Sequence, residues 1–162
     1  MKKIIIAITL GITIVIANSN SLNQCGKQYD TCTEASIDGT AIENDKLGMR
    51  HRRRGNHGAA IVYHKKACSL GYAPGCNHIG YMYDQGEGVH RDYKVARKYF
   101  TLACDHRNSM GCLNLGTLYK KGQGVSQNDE KAKIYYQKSC SLGSQEGCHS
   151  LNILNQYLML TH

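Results

Sequence analysis

Apolar residues in the middle of the chain recur at a helical spacing. Four of them stand at positions i, i+3, i+6 and i+7, which puts their side chains on one face of an α-helix: Cys76, Ile79, Met82 and Tyr83. The segment Gly86–Val89 contains two glycines and interrupts this pattern. We predict a helix that ends at this glycine turn.

A second amphipathic segment follows the turn. Asp92 is suited to begin it, because a carboxylate at the N-cap accepts hydrogen bonds from the free N–H groups of the first turn. Ala96, Tyr99 and Ala103 then form the apolar stripe, together with Val95. The two segments predict an αα-hairpin, which must stack on neighbouring hairpins to cover its apolar faces.

The whole pattern repeats after 36 residues. Ten residues between positions 68 and 103 recur unchanged 36 positions later: Cys68, Gly75, Cys76, Gly80, Tyr83, Gly86, Gly88, Val89, Ala96 and Tyr99. A fixed period of this length is typical of stacked repeat proteins. We therefore predict an all-α fold, a solenoid of αα-hairpins.

Two of the recurring glycines fall inside the apolar face of the first helix. Gly80 and its counterpart Gly116 each cost up to about 1 kcal/mol relative to alanine in a helix. Their recurrence predicts that another helix passes too close for a Cβ atom. The second helix of the later repeat should bury Ala132, Tyr135 and Ser139.

Six cysteines occupy fixed places in the repeat. Residues eight apart in one continuous helix would have Cα atoms about 12 Å apart, beyond the roughly 7 Å limit for a disulfide. Gly71, Pro74 and Gly75 mark a chain reversal between the first two cysteines. We predict local pairs that close where one hairpin meets the next: Cys68–Cys76, Cys104–Cys112 and Cys140–Cys148.

The two ends depart from the repeat. Leu47-Gly48 matches Ile79-Gly80 only with four residues missing, so the connection containing Arg50–Arg54 is predicted as a loop before a second helix at Gly58–Ala67. The remaining cysteines, Cys25 and Cys32, are predicted to pair. The predicted units are a divergent repeat at 21–67, full repeats at 68–103 and 104–139, and a half-repeat or cap at 140–162.

The first residues resemble a secretory signal. Lys2 and Lys3 precede an apolar run at Ile4–Ala17, which is too short to cross a bilayer and is followed by small polar residues. This predicts a signal peptide at 1–17, cleaved after residue 17 or 19, with no stable membrane insertion after cleavage. A lipid anchor on Cys25 is the alternative.

Composition refines this interpretation. Eight cysteines in an exported chain predict disulfides, because no C-x-x-C pair or zinc-like Cys/His spacing occurs. Without Lys2 and Lys3 of the predicted signal peptide the formal net charge falls from +8 to +6, which still favours acidic partners or surfaces. We interpret Arg50–Arg54 as a solvent-exposed loop or, alternatively, as a contact for an acidic ligand or polyanion. Nucleic acid is not expected, since the cluster lacks interleaved aromatic residues.

The motif L-G-x-x-Y-x-x-G-x-G-V-x-x-[DN]-x-x-x-A-x-x-Y runs from Leu115 to Tyr135, with a copy at Ile79–Tyr99. It resembles the Sel1-like repeat, a relative of the tetratricopeptide repeat, and the cysteine pairs resemble the Helicobacter cysteine-rich protein group. The resemblance implies a right-handed superhelix with one disulfide per repeat. It also implies a secreted or periplasmic location and contact with cell-envelope or host material.

That group carries a beta-lactamase label, which can be tested on these residues. A serine beta-lactamase needs Ser-x-x-Lys, S-D-N and K-T-G, and none occurs. The eight histidines are scattered without an H-x-H pair for a zinc enzyme. We predict no catalytic residue, no cofactor and no metal site. If the protein is an enzyme, beta-lactamase activity rests on the resemblance alone.

The remaining candidate is a binding surface on the concave face, which the first helix of each hairpin lines in such arrays. Amide and aromatic side chains in a row suit an extended peptide. We predict a monomer that binds a peptide or protein through six residues: Asn77, His78, Tyr81, Asn114, Thr117 and Lys121.

Overall fold

The computed structural model describes residues 39–161, which form helices joined by short turns. The helices are α1 Gly39–Arg53, α2 His57–Ser69, α3 Ala73–Gln85, α4 Tyr93–Asp105, α5 Ser109–Lys121, α6 Asp129–Ser141 and α7 Gln145–Thr161. Within that range no helix combines the length and apolar character needed to span a bilayer. The predicted signal peptide and the Cys25–Cys32 pair lie outside the described residues.

Consecutive helices pair into hairpins. The most extensive contacts join α1 with α2, α3 with α4, and α5 with α6. Each second helix also packs on the first helix of the next hairpin, so that α2 meets α3, α4 meets α5, and α6 meets α7. The predicted all-α solenoid of αα-hairpins is confirmed.

The helix ends follow from the sequence. Asp92 accepts hydrogen bonds from two N–H groups in the first turn of α4, at 2.8 and 3.1 Å, and Asn128 accepts one in α6 at 2.7 Å. Gly86 and Gly122 end α3 and α5 in the left-handed conformation, with φ of 74° and 67°. A residue with a Cβ atom would be strained there.

The second glycine of each turn sets the distance to the preceding hairpin. A Cβ atom on Gly88 would lie 2.3 Å from the Cβ atom of His57, at the start of α2. A Cβ atom on Gly124 would lie 2.7 Å from the backbone of Tyr93, at the start of α4. The glycine turn therefore rests directly on the second helix of the hairpin before it.

The glycines inside the first helices contact aromatic rings. A Cβ atom on Gly80 would lie 2.6 Å from the ring of Phe100, and one on Gly116 would lie 2.7 Å from the ring of Tyr136. Both rings are buried. The predicted close approach of the helices at these glycines is therefore present.

The aromatic residues that fill this space are one position later than the sequence analysis placed them. Tyr99 and Tyr135 are half-buried and stack on Tyr83 and Tyr119, with ring centroids 6.2 and 5.5 Å apart. Each ring also packs against a cluster of buried apolar side chains. The difference arises because the second helix of each hairpin turns Phe100 or Tyr136, and not the preceding tyrosine, toward the glycine of the first helix.

The three predicted disulfides are present among the described residues, and their Cα atoms are 4.7, 4.5 and 4.5 Å apart: Cys68–Cys76, Cys104–Cys112 and Cys140–Cys148. Another glycine permits this approach at each junction. A Cβ atom on Gly111, for example, would lie 2.6 Å from the Cβ atom of Ala103. The disulfide and the glycine together fix the junction between two hairpins.

We expect Gly116→Ala to lower the free energy of unfolding by about 1–3 kcal/mol, because the added methyl group would overlap the buried Tyr136 ring. Urea denaturation of the oxidised protein measures this. Gly58→Ala is the matched control, since Gly58 also lies in a helix but a Cβ atom there would meet nothing within 4 Å. Equal effects of the two substitutions would contradict the role assigned to Gly116.

Candidate functional site

The first helices form the inner side of the array. Helix α3 contacts α5, and α5 contacts α7, whereas the second helices make their extensive contacts only within their own hairpin and with the next first helix. Successive first helices are therefore closer together than successive second helices. This is the side on which the sequence analysis placed a binding surface.

Four of the six predicted binding residues lie together on this side. Asn114 Nδ2 donates a hydrogen bond to Asn77 Oδ1 at 3.0 Å, across the boundary between two hairpins. His78 and Tyr81 face α1, where the guanidinium carbon of Arg52 lies 4.6 Å from the centre of the Tyr81 ring. We name the surface formed by Arg52, Asn77, His78, Tyr81 and Asn114 the inner strip.

The other two predicted residues have different surroundings. The hydroxyl of Thr117 donates to the carbonyl oxygen of Leu113 at 3.0 Å and lies 3.3 Å from the Tyr136 hydroxyl. Its hydrogen-bonding capacity is thus used within the fold. Lys121 is exposed at the last residue of α5, about two turns beyond Asn114. Neither residue extends the inner strip.

A polar side chain replaces an aromatic core residue in the first hairpin. His64 is fully buried on α2, and a Cβ atom on Gly48 would lie 2.6 Å from its ring. This is the relationship that Phe100 has to Gly80 in the next hairpin. His64 lies 36 residues before Phe100, so the repeat register also assigns it to this position.

Asp45 bonds to two histidines beside this core position. His64 Nδ1 donates to Asp45 Oδ1 at 2.7 Å, and His78 Nδ1 donates to the same oxygen at 2.9 Å. Burial alone raises the pKa of Asp45, but the hydrogen bonds and positive charge of His64 and His78 outweigh it and lower the pKa to about 2. The carboxylate is therefore strongly held in its ionised form.

These three residues form the group within residues 39–161 that could hold a metal ion. Each of Asp45, His64 and His78 offers one side-chain atom, and these atoms lie within 4.8 Å of one another. The Nε2 atom of His64 is buried without a hydrogen-bond partner among the described residues. The sequence analysis missed this group because its members belong to three helices and follow no motif. The sequence offered one indication of the group: His64 stands 36 residues before Phe100, so a histidine occupies a repeat position that holds an aromatic core residue in the next hairpin.

The predicted location of the basic cluster was wrong in part. Arg50–Arg53 form the last turn of α1 and do not lie in a loop. The first hairpin has a shorter connection than the others, so its first helix continues through the arginines and the chain reaches α2 within three residues.

Arg52 connects this turn to the next hairpin. Its Nε and a terminal nitrogen donate to the two carboxylate oxygens of Glu87, at 2.6 and 2.9 Å. The hydrogen bonds from Arg52 lower the pKa of Glu87. A cleft of about 280 Å³ lies here, lined by Met49, Arg52, Arg53, His57 and Glu87. One arginine of the cluster therefore has a structural ion pair, while Arg50, Arg53 and Arg54 are exposed.

The lowered pKa of Asp45 predicts an acid-dependent loss of stability. A carboxylate whose pKa falls from 3.8 to about 2 on folding stabilises the native state above pH 4, and this contribution of roughly 2 kcal/mol is lost as the pH falls toward 2. We expect Asp45→Asn to make the free energy of unfolding less dependent on pH across this window. Urea titrations at several pH values measure it.

The matched control is Asp105→Asn, because the Asp105 side chain is 64% exposed and its nearest cation is 3.7 Å away. This variant should keep the native pH profile. A native profile in Asp45→Asn as well would contradict the proposed stabilisation.

The solved structures that are similar to this chain include one from Helicobacter pylori and one from Escherichia coli. The structure described as Helicobacter pylori cysteine rich protein B is 29% identical with a TM-score of 0.60, and the match covers 67% of this chain and 87% of that one. The protective antigen c5321 of uropathogenic Escherichia coli is 27% identical with a TM-score of 0.67, covering 72% of this chain and 26% of that one.

Two curated Helicobacter pylori proteins are also similar in sequence. The first, named "Putative beta-lactamase HcpE", is 40% identical over 46 residues, which are 28% of this chain and 13% of that protein. The second, named "Putative beta-lactamase HcpD", is 32% identical over 62 residues, which are 38% of this chain and 20% of that protein. The matches thus span a fifth or less of these relatives.

The sequence model of one repeat family matches the hairpins themselves. The Sel1 repeat is found at residues 47–72, 73–108 and 109–144. The second match contains α3 and α4, and the third contains α5 and α6. The three matches together cover more than half of the sequence. The resemblance expected from the glycine and tyrosine motif is confirmed, and this chain belongs to the Sel1 repeat family.

Proposed function

We propose that this chain is an exported, disulfide-stabilised scaffold that binds a peptide or protein ligand on the inner strip. Sel1 repeats form extended surfaces suited to binding other proteins. The observation that carries the proposal is the amide pair Asn77–Asn114, which places hydrogen-bonding groups of two hairpins side by side on the inner surface.

Each asparagine of the amide pair keeps a hydrogen-bonding group that is complementary to the backbone of a peptide. Asn114 uses one N–H group to bond Asn77, and both side chains are half-buried. The Nδ2 group of Asn77 and the Oδ1 atom of Asn114 have no hydrogen-bond partner among the described residues. A donor and an acceptor held on neighbouring helices complement the C=O and N–H groups of an extended chain.

The other end of the inner strip favours an acidic side chain. Arg52 lies against Tyr81 and is held in place by Glu87, so its position is fixed before a ligand arrives. Arg50 and Arg53, on the same turn of α1, are exposed and have a positive charge. The formal net charge, which is +8 for the whole sequence and +6 without the predicted signal peptide, agrees with a negatively charged partner.

The disulfides support a location outside the cytoplasm. Three bridges are formed within residues 39–161, and disulfides persist in oxidising compartments such as the periplasm or the extracellular space. A ligand from the cell envelope or from a host would be met there.

Beta-lactam hydrolysis, which the names of the relatives suggest, has less support. One cleft of about 390 Å³ contains both a serine and a lysine, Ser150 and Lys120. The Lys120 amine, however, lies 3.1 Å from the Asp129 carboxylate and 4.1 Å from the centre of the Tyr157 ring. It therefore serves an ion pair and a cation–π contact, and the site lacks the serine–lysine hydrogen bond that activates a nucleophile.

A peptide library displayed against the oxidised protein tests the binding proposal. We expect selected peptides to be extended and enriched in acidic residues. Asn114→Ala should weaken a selected peptide by roughly tenfold, the equivalent of one or two lost hydrogen bonds. Isothermal titration calorimetry measures the affinity of each variant.

Gln137→Ala is the matched control, since Gln137 is an exposed amide on the second helix α6. It should bind the same peptide with native affinity. Failure to select any peptide, or equal affinity for Asn114→Ala and the native protein, would argue against the inner strip as a binding surface.

A nitrocefin assay on the oxidised protein in metal-free buffer tests the enzymatic alternative. We expect no turnover above that of a denatured sample, because no serine in the sequence has a lysine three residues later. Turnover that disappears in Ser150→Ala would instead establish a hydrolase and displace the scaffold proposal.

A further inference from the structure

We propose that Asp45, His64 and His78 form a binding site for a divalent transition-metal ion of the zinc class. The proposal concerns the contact between the first and second hairpins and does not depend on the binding of a peptide. Its basis is the convergence of two imidazoles and one carboxylate at a partly buried position on the inner surface.

The donor atoms suit this class of ion. Zinc binds imidazole nitrogen and carboxylate oxygen at about 2.0–2.2 Å, and a tetrahedral site then needs ligand atoms roughly 3.3 Å apart. The two Nδ1 atoms are already 2.7 and 2.9 Å from Asp45 Oδ1. Opening these distances by about half an ångström would allow an ion to take the place of the two Nδ1 protons, which pass to solvent or to Nε2 of the same ring.

The surrounding packing orients the ligands before the ion binds. The His64 ring is fixed against the backbone at Gly48, which has no Cβ atom to displace it. Asp45 lies on α1, His64 on α2 and His78 on α3. An ion held by all three would cross-link two hairpins at the inner surface, whereas the Cys68–Cys76 disulfide joins them at the chain reversal.

The two ring nitrogens of His64 have different surroundings. Its Nδ1 atom faces Asp45, whereas Nε2 is buried and has no hydrogen-bond partner among the described residues. Nδ1 is therefore the ligand atom, and Nε2 carries the proton of the neutral imidazole when an ion is bound.

Access to the site comes from the inner surface. The His78 side chain is 22% exposed, whereas that of His64 is fully buried. An ion can therefore reach the cluster past His78. Three protein ligands leave one position of a tetrahedral ion for water or for an anionic group of a bound molecule.

The test uses the full chain, oxidised, without a histidine tag and stripped of metal with a chelator. Zinc chloride is titrated into the protein by calorimetry, and thermal unfolding is followed with and without excess zinc. We expect one ion per chain and a rise of about 5–10 °C in Tm at a hundredfold excess over Kd. Cobalt(II) should give the visible absorption of a four-coordinate site.

Two variants assign the ion to the cluster. His64→Phe supplies the ring found at the equivalent position of the next hairpin, Phe100, and should fold without a metal ligand there. His78→Gln changes a half-buried residue and provides a second test if the first variant is unstable. Each should weaken zinc binding at least tenfold and abolish the cobalt absorption.

His90→Gln is the matched control, because His90 is an exposed histidine outside the cluster. It should bind zinc with native stoichiometry and affinity. The proposal is overturned if the native chain takes up no zinc, or if folded His64→Phe and His78→Gln bind it as the native chain does.

Discussion

The structure depends on helices approaching one another at positions that have no Cβ atom. Gly80 and Gly116 lie against buried rings, and Gly111 lies against Ala103 at the junction between two hairpins. Gly88 rests on the start of α2. Since a side chain at any of these positions would push two helices apart, the recurring glycines set the distance from each hairpin to the next. The superhelical stacking and the inner surface follow from that distance.

Cross-links complement this packing because the apolar core is modest. The whole chain has no Trp and one Phe, and its buried side chains are mainly alanine, cysteine and medium-sized aliphatic residues. Each disulfide closes the short reversal between two hairpins, where its Cα atoms are less than 5 Å apart. In the chain-entropy model a loop of this size contributes roughly 2–3 kcal/mol. Local bridges of this kind stabilise each junction separately.

The first hairpin shows how a repeat framework acquires chemistry. The core position that Phe100 and Tyr136 occupy in the later hairpins is occupied here by His64. A buried imidazole needs polar partners. Asp45 supplies one, and His78 reaches the same carboxylate from the next hairpin. The equivalent contact one hairpin later joins Asn114 to Asn77. Polar contacts between successive first helices thus recur along the inner surface, while the residues that make them differ.

The sequence by itself determined the helices of the two full repeats, their caps and the three repeat disulfides, because all of these depend on residues within one repeat or its junction. Asp92, Gly86 and the cysteine pairs act over short stretches of chain, and the period of 36 residues makes each of them visible more than once. Asn77, His78, Tyr81 and Asn114 lie on the inner side, and their role in binding stays a prediction. Only the tertiary structure decided that Phe100 and not Tyr99 fills the core, that Arg52 pairs with Glu87, and that Asp45 meets two histidines. Some of these contacts join the two helices of one hairpin and others join different hairpins, but all of them depend on how the helices rotate and space against one another, which no local pattern encodes.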